Sequence, residues 1–386
     1  MSSLNIKAND SSEYTVVSLE GRIDSTNADQ FEKDLFAIAA ASQKDVSFDA
    51  EKLEYISSAG LRVLLKLQKT KSRPISVFNV SRDVYDIFET TGFTQLFDIK
   101  KQYREISVDG CEIIGKGYYG TVYRLDEDTV VKKYESPEAI SIIENEKRLA
   151  RLAFVAGIPT AISFDIVKIG NSYGSVFELL KAKTFHDLIK EKPNEIDSII
   201  SDYTELIKKV HSISMEPGTL PSCKEMFLNK LVNIRSIISE KLYEGMKNFY
   251  IELPEDNHVV HGDIQMKNVM LSGDEPMLID MDTLSQGLPL FDFGGLYLAY
   301  IAFTEDDPNN SMEFFGIDTE LCNSIFNKVF DKYYKDIDES ERKEILTKIK
   351  VIGYTSFLNM LESRKEEELA ALQIKHTIEY LESVFC

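Results

Sequence analysis

VVHGDIQMKNVML (259–271), followed shortly by PMLIDMDTLSQG (276–287), decides how this chain is read. Two apolar runs enclose His261, Asp263 and Asn268, and a third ends at Asp280. His-x-Asp-x4-Asn, with an apolar-apolar-Asp twelve residues after the asparagine, supplies the groups that phosphoryl transfer requires. A carboxylate at Asp263 can orient an attacking hydroxyl and take its proton. The amide of Asn268 and the carboxylate of Asp280 can hold Mg²⁺ against phosphate oxygens. Such a reaction asks the protein for little covalent chemistry, so positioning and charge neutralisation carry the rate.

Upstream, CEIIGKGYYGTVYRL (111–125) places Gly115, Gly117 and Gly120 ahead of Val122 and Tyr123, and TVVKKY (129–134) follows a DED turn. A GxGxxG alone is weak, because dinucleotide sites share it. A dinucleotide fold needs a helix straight after the glycines. Here a β-hairpin follows, which puts the glycines over nucleotide phosphates and Lys132 within reach of the α- and β-phosphates. The lysine needs an acidic partner, and SPEAISIIENEKRLARLAFVAG offers Glu144 and Glu146, about 200° apart around a helix. Only one can face Lys132. Ile142, Ile143, Leu149, Leu152 and Ala153 mark the buried side of that helix.

The first hundred residues differ in character. TVVSLEGRI (15–23) reads as a strand, and Asp24 to Asn27 offer cap chemistry for ADQFEKDLFAIAAA, whose Phe31, Leu35 and Ile38 share a face. DVSFDA (45–50) is a second strand, leading through a polar turn to a helix capped by Ser57 or Ser58 and carrying Leu61, Leu64, Leu65 and Leu67. PISVFNV (74–80) and a helix from Arg82 to Thr90 complete a small mixed α/β domain.

LEGRIDSTNADQFEKDL, DVSFDAEKLEYISSAGLRVLL and the ending TTGFTQLFDI closely resemble the STAS domain of bacterial anti-sigma factor antagonists. The resemblance implies a mixed sheet packed on helices, a surface for an anti-sigma factor or other regulator, and a serine at a helix start that a partner kinase phosphorylates. Where that family reads Asp-Ser-Ser/Thr-Gly-Leu, this chain has Ser57-Ser58-Ala59-Gly60-Leu61. Ser58 is therefore the candidate, with Ser57 behind it. The alternative is that both serines only cap the helix. A phosphate there would meet free amides and the positive end of the helix dipole.

Residues 108–386 resemble the protein-kinase-like phosphotransferases, and within them the aminoglycoside phosphotransferase and choline kinase branch. His261-Gly262-Asp263 lacks the arginine of true protein kinases, and Met281-Asp282 stands where they carry Phe-Gly. Only 11 residues separate Asp280 from Asp292, leaving hardly any room for an activation segment. The resemblance implies a two-lobed fold, N-lobe about 111–180 and C-lobe about 181–386, behind a STAS domain (1–100) and a linker (101–110). It favours Glu146 as the partner of Lys132. It places an adenine-binding hinge at Glu178 to Leu180, a structural histidine at His211, and at Asp292 a brace for the catalytic loop rather than a substrate contact. Asp282 could face metal or substrate.

The chain holds 44 Lys+Arg against 64 Asp+Glu, a formal −20, which argues against nucleic acid or an anionic membrane as partner. Residues 1–100 hold 12 basic and 15 acidic residues, net −3, and the rest holds 32 and 49, net −17. No apolar run reaches the roughly 18–20 residues of a bilayer span, and the N-terminus lacks a signal-peptide core, so a cytoplasmic protein is expected. Four scattered cysteines suggest neither disulfides nor a zinc site. Three functions compete: a kinase for a small hydroxyl compound using ATP and Mg²⁺, a serine kinase acting on its own or a partner's STAS domain, and a non-catalytic signalling scaffold.

Overall fold

The computed structural model describes residues 4–10, 14–42, 44–117, 120–135, 139–180, 182–273 and 275–386. The chain divides into two units, Met1–Ser107 and Val108–Cys386, a division inside the expected linker.

In the first unit, β1 (Asn5–Asp10), β2 (Tyr14–Ile23), β3 (Asp45–Ile56), β4 (Ser76–Val80) and β5 (Asp98–Lys101) form one sheet in sequence order. The β1 and β2 pair is antiparallel and the others are parallel. The parallel crossovers are α1 (Ala28–Ala41), α2 (Ser58–Gln68) and α3 (Arg82–Thr90). Along β2, Val17, Leu19 and Ile23 alternate inward against Phe31 and Leu35 of α1 and Leu61, Leu64 and Leu67 of α2. Each such side chain, fully buried, contributes roughly 1.5–3 kcal/mol.

Three features of this unit depart from the sequence reading: β1, the unforeseen strand β5, and the length of β3. β1 was not foreseen, because its polar alternation is that of an edge strand. β3 runs on through Glu51 to Tyr55, where a turn was expected. There Lys52, Leu53 and Tyr55 pair with Glu20, Gly21 and Arg22 beyond a bulge, and Leu53 fills the core. Pairing satisfies the backbone of a segment whose outer face is polar.

The two-residue strand β6 (Arg104–Glu105) precedes the second unit. That unit begins with β7 (Ile113–Lys116), β8 (Gly120–Arg124) and β9 (Thr129–Tyr134). α4 (Ala139–Val155) follows, then β10 (Asp165–Ile169) and β11 (Ser172–Glu178). These five strands are antiparallel in the order β7-β8-β9-β11-β10.

Beyond Glu178 the chain becomes mostly helical. β12 (Lys183–Thr184) leads into α5 (Phe185–Glu191), capped by the Thr184 hydroxyl. α6 (Ile196–His211), α7 (Cys223–Ile234) and α8 (Glu240–Glu252) follow. The short strands β13 (Val259–Val260), β14 (Val269–Ser272), β15 (Glu275–Leu278) and β16 (Ser285–Gln286) then carry the loop quoted first. α9 (Leu290–Tyr297) and the helices after it complete a large apolar core. Among the described residues no helix is long and apolar enough to cross a membrane.

Candidate active site

The glycine hairpin forms as expected. Gly115 lies opposite Val122, and the Gly117 N–H donates to the Gly120 carbonyl at 2.9 Å. A side chain at Gly120 would run into the Lys133 carbonyl on β9. Residues 118–119 lie outside the described residues.

Lys132 sits mid-sheet, between Val122 of β8 and Ser175 of β11. Its Nζ lies 3.4 Å from Glu146 Oε1 and is also paired with Asp280. Of the two glutamates offered by α4, it is therefore Glu146, only 6% exposed, that turns inward beside Ile143, Leu149 and Ala150. Burial works against both charges. It raises the Glu146 carboxyl above its usual range, whereas the attraction of Glu146 and Asp280 outweighs it at Lys132 and holds that ammonium above its usual value. β11 ends at Glu178, opposite Thr129, and the Leu179 N–H donates to the Asp128 carbonyl at 2.7 Å, which anchors the stretch Glu178 to Leu180.

The loop carrying Asp263 and Asn268 leaves β13 at His261. Asn268 donates through Nδ2 to Asp263 Oδ2 at 2.7 Å and to the Asp263 carbonyl at 2.9 Å. Gln265 Nε2 donates to both Asp263 carboxylate oxygens, at 3.0 and 3.2 Å. Burial raises the Asp263 carboxyl, and these donors together with His261 offset part of the rise. Ile279 N–H donates to the Asn268 carbonyl at 3.0 Å, tying the loop to the residue before Asp280. Asp280 has φ 58°, a left-handed conformation that aspartate tolerates better than most residues and that concentrates at functional sites.

Glycine at position 262 has a steric cause. Gly262 has φ 87°, and an added Cβ would fall 2.7 Å from the Thr283 carbonyl oxygen. Asp292, 1% exposed, accepts from the N–H groups of His261 (3.0 Å) and Gly262 (2.6 Å) and from His211 Nε2 (2.9 Å). His211 Nδ1 is 3.0 Å from the Tyr333 hydroxyl. Both residues brace the loop rather than face a substrate. Tyr203 adds a hydrogen bond from its hydroxyl to the Ile264 carbonyl at 2.5 Å.

Sequence reading passed over Gln265, Tyr203 and Tyr134, whose hydroxyl donates to Glu146. Gln265 was visible as a polar side chain two residues after Asp263. The tyrosines look like ordinary core residues until their hydroxyl partners are known.

The donor set suits a hard divalent cation. With its Nδ2 committed to Asp263, Asn268 retains its amide oxygen, and Asp280 retains the carboxylate oxygen not used by Lys132. Asp282 lies in the same electrostatic group, and burial, reinforced by Glu146, Asp280 and Asp263, pushes its carboxyl up to about 7. Among the described residues no group of three His, Cys, Asp or Glu side chains forms a closed metal cage.

In the first unit the two serines separate. Ser57 caps α2, its hydroxyl accepting from the Gly60 N–H at 3.4 Å, whereas Ser58 is exposed at the first helical position. Asp24 accepts from the Thr26 N–H at 2.8 Å and its hydroxyl at 2.6 Å; the hydroxyl chiefly lowers the Asp24 carboxyl below its usual range. Ser57→Ala is expected to cost the first unit about 0.5–2 kcal/mol, nearer the lower end for so long a bond. Ser58→Ala should leave thermal unfolding unchanged.

Residues 4–106 match the STAS domain family, and residues 110–315 match the phosphotransferase enzyme family. The putative anti-sigma factor antagonist BtrV of Bordetella bronchiseptica is 33% identical over 87 residues, which are 22% of this chain and 75% of that protein. The apo crystal structure of a thermostable mutant of aminoglycoside phosphotransferase APH(4)-Ia superposes with a TM-score of 0.51 at 11% identity, covering 77% of this chain and 98% of the other. A ternary complex of a thermostable mutant of the same enzyme with AMP-PNP and hygromycin B gives 0.51 at 12% identity, covering 71% and 93%. At these identities the two structures speak for the fold. The chain belongs to the phosphotransferase enzyme family, and joins to that enzyme unit an N-terminal STAS domain of the anti-sigma factor antagonist type.

Proposed function

We propose that the second unit moves the γ-phosphoryl group of ATP, with Mg²⁺, to a hydroxyl of a small molecule. The observation that carries this reading is the grip of Asn268 and Gln265 on Asp263, in a loop tied through Ile279 to Asp280 and so to Lys132. Gly115, Gly117 and Gly120 lie over the phosphates. Lys132, aligned by Glu146, meets the α- and β-phosphates, and the backbone of Glu178 to Leu180 receives the adenine. As the acceptor oxygen bonds to the γ-phosphorus, the bond to the β,γ-bridging oxygen breaks, and Asp263 takes the acceptor's proton. A cation held by Asn268 and Asp280 would neutralise charge on the transferred group. The related structure that holds AMP-PNP supports a nucleotide site in this fold.

A small acceptor is favoured by how the segment after Asp280 is used. Ser285–Gln286 pairs with Val259–Val260, and Gln286 Nε2 donates to the carbonyls of Met215, Glu216 and Asn257. Little backbone remains to serve as a platform for a protein substrate.

The exposed Ser58, released from capping by Ser57, favours a second reading in which the unit phosphorylates its own or a partner's STAS domain. Incubation with labelled ATP and Mg²⁺ separates the two. Small-molecule transfer predicts unlabelled protein and ATP turnover stimulated by added amino-alcohols or aminoglycosides. STAS phosphorylation predicts label that is lost in both Ser58→Ala and Asp263→Asn. Neither turnover nor label would remove both readings. The STAS domain would meanwhile bind a regulator such as an anti-sigma factor, a reading that its likeness to BtrV supports.

A further inference from the structure

Lys132 and Tyr134 stand two residues apart on β9, so strand alternation turns both side chains to the same face, under α4. Tyr134 is 1% exposed and packs on Ala139 and Ile143. Ile143 lies one helical turn before Glu146. The Tyr134 hydroxyl donates to Glu146 Oε2, while Lys132 Nζ lies 3.4 Å from Oε1 and 5.1 Å from the centre of the Tyr134 ring. The two carboxylate oxygens thus have different partners, one a lysine and one a phenol.

Charge alone does not satisfy this cluster. One ammonium, Lys132, faces Glu146, Asp280 and Asp282, and its shared contact with Asp280 leaves the bond to Glu146 long. Glu146 is the most buried of the three, and an ionised carboxylate there needs a second donor to stay charged. Tyr134 is the neutral donor that fills this need without adding a charge.

We infer that Tyr134 is a positioning residue of the nucleotide site: its hydroxyl keeps Glu146 ionised and aimed, so that Lys132 is presented to the phosphates. This rests on the proposed role of Lys132 in binding ATP. The sequence feature is Lys-x-Tyr on the strand after the glycine hairpin, paired with the glutamate of the next helix.

Tyr134→Phe in the full chain keeps the ring and removes only the hydroxyl. Loss of a hydrogen bond to a charged group should raise the KM for MgATP by roughly 10- to 100-fold with a much smaller change in kcat. Without the hydroxyl, burial acts on Glu146 less opposed, and the carboxyl takes up a proton at higher pH. The ratio of variant to wild-type KM should therefore grow as the pH is lowered from about 8 to about 6; Lys132, Asp280 and Asp282 are common to both proteins and largely cancel in that ratio. In a Glu146→Gln background the same substitution should add little, the signature of coupled residues.

An equal KM penalty in both backgrounds, or a flat ratio across pH, would assign Tyr134 to packing alone and overturn the inference. Lys132→Ala tells the two failures apart. If it abolishes MgATP binding while Tyr134→Phe is neutral, the inference falls and the nucleotide site stands. If both are neutral, the nucleotide site itself is misplaced.

Discussion

Asp263→Asn is expected to slow phosphoryl transfer by about 10²- to 10⁴-fold, the range that a positioned general base contributes. The substitution removes the proposed proton acceptor and disturbs the local hydrogen bonds. Asp263 receives N–H groups from Asn268 and Gln265 on its carboxylate, and an asparagine offers only one acceptor oxygen for the two donors. ADP release or label transfer measures the rate, and a melting curve checks that the fold survives. The KM for ATP should change little, since Lys132 and the glycine hairpin are untouched. A variant that transfers phosphoryl groups at the wild-type rate would remove Asp263 from the chemistry.

The second large effect belongs to Asp292. Its carboxylate accepts from two backbone N–H groups of the catalytic loop and from His211, all away from water. Removing one partner of a buried charged network typically costs about 3–5 kcal/mol. For a unit of this size Asp292→Asn should therefore lower the melting temperature by roughly 6–20 °C.

Activity should fall as well, because the loop that presents Asp263 loses its anchor. Burial by itself would raise this carboxyl; the hydrogen bond and attraction of His211, with the attraction and N–H of His261, hold it below its ordinary value of 3.8. For an acid with a depressed folded value, the stabilisation is complete above 3.8 and is lost as the pH falls through the lower folded value. Wild type should lose stability below about pH 4 more steeply than Asp292→Asn. Equal acid sensitivity in the two proteins would count against this role.

Much of this molecule could be read one residue at a time. α1, α3 and β9 run over Ala28–Ala41, Arg82–Thr90 and Thr129–Tyr134, where apolar periodicity and cap or turn residues placed them. The residues proposed for transfer were also visible, because Asp263, Asn268 and Asp280 stand close in the chain and their chemistry dictates their types. β3 was read too short because only its pairing with β2 shows that Leu53 belongs to the core. Net charge was the least informative feature. The −17 of residues 101–386 says nothing about Lys132, whose surroundings are set by three acids from α4 and from the stretch after β15.

The sequence by itself indicated two units joined within residues 101–110, a phosphoryl-transfer inventory in the second, and a hydroxyl at the start of α2. Those are properties of residue type and short spacing. Spacing left Glu144 and Glu146 open and the family resemblance favoured Glu146 and a brace at Asp292; only the tertiary structure supplied their partners, gave the cap to Ser57 and left Ser58 exposed. It also brought Tyr134 to Glu146. The physical reason is that hydrogen bonds and ion pairs are decided between groups far apart in the chain, such as Lys132 and Asp280, 148 positions apart. Periodicity reports which face of an element is buried, and packing alone decides what that face meets.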